Sequence, residues 1–460
     1  MFSLSLCKSR SLFASLLLSA SLVLPALSQQ ADSSASPEPA PSAAGAPEST
    51  PSENQQAPVQ TLEQIEMTEP SPEPTAETVE EPSDQPSAEA TIPKIGGRNI
   101  SAFTRNLLGN TTVGGYFDTE YYFPEGKASF FDQHRLILQV SSLMHERLFF
   151  NTEIEFEHGA VIGGGTDDGE LKIEQAFLDF QLFDNLILRA GAVLVPVGRL
   201  NVLHDSDFRD TTVRPLFTNV IVPTTWTETG AGFYGTFYPD EFWEINYEAY
   251  VVQGLRDLLS DGNGLRGARN SLATDDNAAK AFTARLGASP FIGLDFGLGT
   301  YLSPIGNDGK KNLGLFVGDF SWTYGPFELL GEGGVVAFDA TTQKNAAGVE
   351  SPLIGPMWGY YLEAHYHLFP EFLQNTFLSN GFERPVFTLF AQLSQVDTDA
   401  SQLNANDRTR IVFGLNFRPV TNTVFKLEYQ WNLENEAILR NDPSKELANN
   451  QLVASVAAGF

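Results

Sequence analysis

The stretch Asn422–Leu433, "NTVFKLEYQWNL", decides how the chain is read. With a period of two, Phe425, Leu427, Tyr429, Trp431 and Leu433 share one face, while Val424, Lys426, Glu428, Gln430 and Asn432 share the other. That is a strand with one apolar and one polar face. The contrast recurs in "RLFFNTEIEFEH" (147–158) and in "EFWEINYEAYV" (241–251). It recurs at the C-terminus in "NQLVASVAAGF" (450–460), where Leu452, Ala454, Val456, Ala458 and Phe460 fall together. A soluble β-sandwich shows an apolar face as well, so periodicity alone leaves a sandwich and a lipid-facing barrel both open.

Two further features separate them. Aromatics gather at strand ends, as with Tyr429 and Trp431, or Trp358 and Tyr360, which fits girdles at two lipid–water boundaries. Connections also alternate in length. Tight turns at "LMH", "FD", "PD", "PF", "TYGP" and "PVTN" interleave with long polar loops such as "GAVIGGGTDDGE" and "GLRDLLSDGNGLRGARNSLATDDN". The exception on the short rim is "FPEFLQNTFLSNGFERP" (369–385). About sixteen alternating segments, the first at Thr111–Tyr122 and the last at Asn450–Phe460, predict an all-β fold. It is a closed antiparallel transmembrane barrel with both ends on the periplasmic side. The last strand must pair with the first, because an open strand edge cannot be satisfied in lipid.

The start of the chain carries different signals. Residues 1–28 have a basic start with Lys8 and Arg10, the apolar run "LFASLLLSASLVL" and small residues around "PALSQQ", the layout of a secretory signal peptide. The single cysteine, Cys7, falls inside it, so the mature chain has neither disulfide nor thiolate chemistry. Residues 29–95 are rich in Pro, Ala, Ser and Glu, with acids from Asp32 to Glu89 against Lys94 alone. Such a segment has too little apolar surface to offset ordering, so it reads as a disordered periplasmic linker, with cell-wall contact as its functional alternative. Residues 96–460 form the barrel and contain no apolar run long enough for a membrane helix. A formal net charge of -29 speaks against a nucleic-acid partner.

The signal peptide, the alternating segments and the terminal Phe460 resemble an outer-membrane porin. "LRAGAVLVPVGRLN" (188–201), "RPL" (214–216) and "WTETGAGFYG" (226–235) are similar to the phosphate-selective porin O and P family. The resemblance implies residence in the outer membrane, a terminal-aromatic assembly signal at Phe460 read by the barrel assembly machinery, and a homotrimer. It implies too that the third long loop, within "VPVGRLNVLHDSDFRDTTVRPLFTNVIVPTTWTETG" (195–230), folds inward and narrows the pore. The constriction would then hold Arg199, Arg209 and Arg214 with Asp205, Asp207, Asp210 and Glu228. Arg135, Arg189, Arg285 and Arg410, with Glu153, Glu155, Glu244 and Glu248, are expected to face the lumen, where rows of charge bias ion entry.

Chemistry beyond permeation has little support in the sequence. "EAHYH" offers Glu363, His365 and His367 as a metal set, but the spacing is common on lumen-facing strands, and no metal or cofactor is assigned. His145 with Glu146, or His204 with Asp205, lack a nucleophile motif, so the chain does not read as an enzyme. The expected function is a water-filled channel for ions or small hydrophilic solutes. A barrel enzyme and a structural barrel tethered by its linker are the alternatives.

Overall fold

The computed structural model describes residues 106–108 and 110–460, apart from 160–168, 257–263, 273–274, 276–279, 306–310, 340–341, 345–349, 353–354, 402–406 and 435–446. The expected signal peptide and linker lie outside the described residues, as do parts of several long loops. Sixteen strands form one ring: β1 (Thr111–Pro124), β2 (Phe130–His145), β3 (Leu148–Glu157), β4 (Glu170–Phe183), β5 (Leu186–Leu194), β6 (Thr227–Phe237), β7 (Glu244–Val252) and β8 (Ala281–Phe291), then β9 (Leu294–Ile305), β10 (Lys311–Tyr324), β11 (Phe327–Phe338), β12 (Met357–Leu368), β13 (Val386–Asp397), β14 (Asp407–Val420), β15 (Thr423–Glu434) and β16 (Gln451–Gly459). Each strand pairs antiparallel with its sequence neighbours, and β16 pairs with β1 from Gln451↔Pro124 to Gly459↔Tyr116. The barrel is therefore closed. Phe460 extends the seam, its N–H donating to Gly115 O at 2.9 Å and its carbonyl accepting from Gly115 N at 3.2 Å. Only glycine fits at 115, because a Cβ there would lie 2.0 Å from Ile137 O.

The alternation read in "NTVFKLEYQWNL" holds. Phe425, Leu427, Tyr429 and Trp431 face out and are each about half exposed, while Val424, Lys426, Glu428 and Gln430 are buried inside. Outward Phe316, Leu298, Val335, Leu362 and Leu389 continue the apolar belt, the surface a bilayer requires. Strand ends differ from the sequence reading by a few residues. "LMH" belongs to β2 and "PF" to β8, whose turn falls instead at Ile292–Gly293. Pro290 does not end its strand because it sits where the β8–β9 register shifts, and no ladder donor is needed at a bulge. On the short rim, residues 369–385 hold a 3-10 turn, Glu371–Leu373, with Phe372 and Phe377 exposed.

The long-loop half of the lumen is not empty. Val195, Val197, Phe217, Ile221, Val222 and Trp226, all from the loop between β5 and β6, are fully buried against inward Val252, Tyr301, Leu313, Leu315, Val336 and Tyr361. The barrel has an apolar core on one side of its interior.

Candidate functional site

The third loop on the long rim, residues 195–226, is built into the barrel by its own polar residues. Val195 N–H donates to Trp226 O at 2.9 Å, and Asn201 clamps the stem. The Asn201 Nδ2 donates to Val195 O at 2.7 Å and its Oδ1 accepts from Trp226 N at 2.8 Å. Gly198 turns the chain at φ 79, a left-handed conformation, and a Cβ there would meet Glu332 Oε2 at 2.6 Å. The backbone of Leu200, in the short helix Arg199–Val202, donates to Glu332 on β11. A second short helix, Leu216–Val220, lies against β12, β13 and β14.

The tip crosses to the opposite side of the ring. Asp210 accepts from Arg418 Nη2 at 3.0 Å and pairs with His365 Nδ1 at 3.0 Å, and its carbonyl accepts from Asn416 Nδ2 at 2.8 Å. Lys426 Nζ donates to Ser206 O at 2.6 Å and Thr211 O at 3.2 Å. Glu428 accepts the backbone N–H groups of Thr212 at 2.6 Å and Val213 at 3.2 Å, and Thr212 Oγ1 meets Ser455 Oγ at 2.9 Å. From above, Arg266 and Arg269 donate to carbonyls of residues 219–225. A loop otherwise short of partners thus has its backbone satisfied by charged side chains of the wall.

This geometry sorts the residues expected from sequence. Arg209 and Arg214 are buried on the loop, with Arg209 Nε and Nη1 and Arg214 Nε lacking a hydrogen-bond partner among the described residues. Beyond them, Arg135 pairs with Glu155 at 3.0 Å and Glu157 at 2.8 Å, Lys172 bridges the same two acids, and Glu153 accepts from Gln175. Loop His204 contacts Glu174 on β4 at 2.9 Å. Burial, with Arg135 and Arg209 nearby, pulls the Arg214 guanidinium below its ordinary range. Burial and the neighbouring Asp205 push the Asp207 carboxyl up to about 7. Burial acts upward on Asp210 too, but His365 and Arg418 outweigh it and hold that carboxyl far below the usual range.

Away from the loop tip lies a cavity of about 510 Å³, lined by Arg199 of the loop with Arg189, Glu244, Glu248, Arg285 and Asp319 of the wall. Arg189 is forked onto Asp179 at 2.8 Å and stacked over Phe177, and Arg285 is held by Asp319. Arg410 lines a smaller cavity of about 220 Å³ and donates to Asn432 at 2.7 Å. Glu228 stands apart. It is buried beside the apolar core and accepts from Trp226 Nε1, Tyr301 Oη and Gly254 N, so it fixes the loop stem. The wall residues that dock the loop, Glu332, Asn416, Arg418, Lys426 and Glu428, escaped the sequence reading as site residues, and His365 entered it only as a possible metal ligand. Lys426 and Glu428 carried a signal, as charges on the inward face of a strand.

No family model matches the chain. A protein of Aquifex aeolicus (strain VF5), described as uncharacterized, is 29% identical over 343 residues, covering 69% of this chain and 74% of its own. Among solved structures, Salmonella typhi OmpF in complex with daunomycin covers 76% of this chain and 97% of its own at 10% identity and a TM-score of 0.49. The anion-selective porin from Comamonas acidovorans covers 76% and 99% at 14% identity and 0.45. The outer-membrane channel DcaP of Acinetobacter baumannii covers 76% and 97% at 11% identity and 0.44.

Proposed function

We propose that the chain is an outer-membrane porin whose third loop narrows the lumen to charged passages for ions or small hydrophilic solutes. The observation that carries this reading is the path of residues 195–226, which leave the rim between β5 and β6 and dock on β11, β12, β14, β15 and β16 inside the barrel. A barrel of sixteen strands is wide enough to hold water, and an inward loop converts that width into a short-range filter.

The cavity favours cations. Arg189 and Arg285 are neutralised by Asp179 and Asp319, which leaves Arg199 against Glu244, Glu248, Asp295 and Glu328. The apolar core on the long-loop side keeps the passage narrow, so permeation is slow for its strand number. On this reading the signal peptide exports the chain, residues 29–95 serve as a periplasmic spacer, and Phe460 is the assembly signal. Trimer formation and membership of the phosphate-selective porin O and P family belong to the same proposal. Liposome swelling with sugars of graded size tests it: small sugars enter and larger ones do not, whereas no swelling with a folded, inserted barrel would leave the structural reading.

A further inference from the structure

On the lumen wall between β1 and β2 the ladder breaks its period. Asp118 pairs with Arg135 and Glu120 with Asp132, so two residue steps on β1 face three on β2. Thr119 therefore stands opposite both Gln133 and His134, which is a β-bulge. Without the extra residue, alternation from inward Arg135 would turn His134 toward lipid. The bulge instead brings His134 Nδ1 to 3.1 Å from Asp118 Oδ2 and 3.0 Å from Glu120 Oε1. Both carboxylates are 1% exposed. The two carboxylates share the one Nδ1 position, Glu120 Oε2 accepts from Tyr122 Oη, and Asp118 Oδ1 has no hydrogen-bond partner among the described residues. Two buried acids thus converge on one imidazole nitrogen, with one oxygen of Asp118 left over.

We propose that Asp118, Glu120 and His134 hold a divalent transition-metal ion of the zinc class. Their ligand atoms lie within 4.8 Å of one another. A tetrahedral ion at about 2.0–2.2 Å from each donor needs donors roughly 3.3–3.6 Å apart, so His134 Nδ1, at 3.1 and 3.0 Å from the two carboxylates, has only a few tenths of an ångström to give. The ion takes the Nδ1 lone pair, the neutral imidazole keeping its one proton on Nε2, and a water completes the fourth position. One imidazole with two carboxylates suits zinc better than calcium or magnesium, which take oxygen ligands. The other two His–carboxylate groupings have a different role. His365 and His204 dock the third loop instead, His365 Nδ1 lying 3.0 Å from Asp210 and His204 Nε2 lying 2.9 Å from Glu174.

The test uses the untagged full chain folded in detergent, dialysed against zinc chloride, with bound zinc measured by mass spectrometry. About one ion per chain is expected, with affinity falling about tenfold or more in His134→Ala and in Asp118→Asn, and unchanged in His367→Ala. Heat-modifiable gel mobility checks that each variant is folded. Zinc-edge absorption should show imidazole scattering in the wild type that His134→Ala loses. A folded wild type that takes up no zinc overturns the proposal. So does His134→Ala binding as tightly as wild type, or displacement of zinc by an equal concentration of calcium.

Discussion

Replacing Glu428 by alanine removes the acceptor that holds the loop tip to β15. Two backbone donors, Thr212 N at 2.6 Å and Val213 N at 3.2 Å, then lose a charged partner in a buried setting. Each charge-assisted bond contributes about 1.5–3 kcal/mol, and water from the lumen recovers part of it, leaving a net loss of about 2–4 kcal/mol. The loop does not come free, because Asp210 keeps Arg418 and His365, and Lys426 keeps Ser206. What changes is local opening of residues 205–213. At about 1.4 kcal/mol per tenfold, amide exchange at Thr212 and Val213 should accelerate by about 30- to 800-fold. Hydrogen–deuterium exchange with mass spectrometry of peptides covering the tip reads this directly, with peptides from β4 and β5 as controls. Acceleration of less than about threefold in a folded Glu428→Ala barrel would refute the docking argument.

Two further outcomes follow from the same geometry. The Asp207 carboxyl titrates at about 7 inside the barrel against 3.8 in an ordinary setting, so the docked loop holds a proton across that window. Its contribution to docking falls as pH rises through the window, and the added negative charge strengthens cation preference near neutrality. Asp207→Asn should flatten the pH dependence of the reversal potential between about pH 5 and 8. Gly198→Ala places a Cβ against Glu332 at a left-handed φ, which should cost about 1–3 kcal/mol and lower the temperature of the heat-modifiable gel transition.

The barrel was legible because an apolar outside and a polar inside impose a period of two on most strands, as in Thr423–Glu434. The interior was harder to read. Leu313, Leu315 and Val317 face inward on β10 while Phe316 faces out, so that strand is apolar on both faces. Such a strand needs an apolar cover inside, and the third loop supplies it, but which loop covers which strand is a long-range fact that no local pattern carries. The same holds for Asp210. Its partners Arg418 and His365 lie far along the chain, and only closure of the ring brings them together. The His134 bulge is hidden for another reason: alternation predicts an outward side chain there, and the register shift that turns it inward appears only in the pairing of β1 with β2.

The central claim is that the third loop, docked across the lumen, sets what passes. Conductance and reversal potential in planar bilayers, for the wild type and for a chain with residues 203–213 replaced by a short Gly–Ser turn, test it most directly. The wild type should give small, cation-preferring steps. The shortened loop should give larger steps with weaker preference, because the charged tip no longer divides the lumen. Identical conductance and selectivity in the two proteins, or silence from a folded wild type over repeated insertions, would contradict the account.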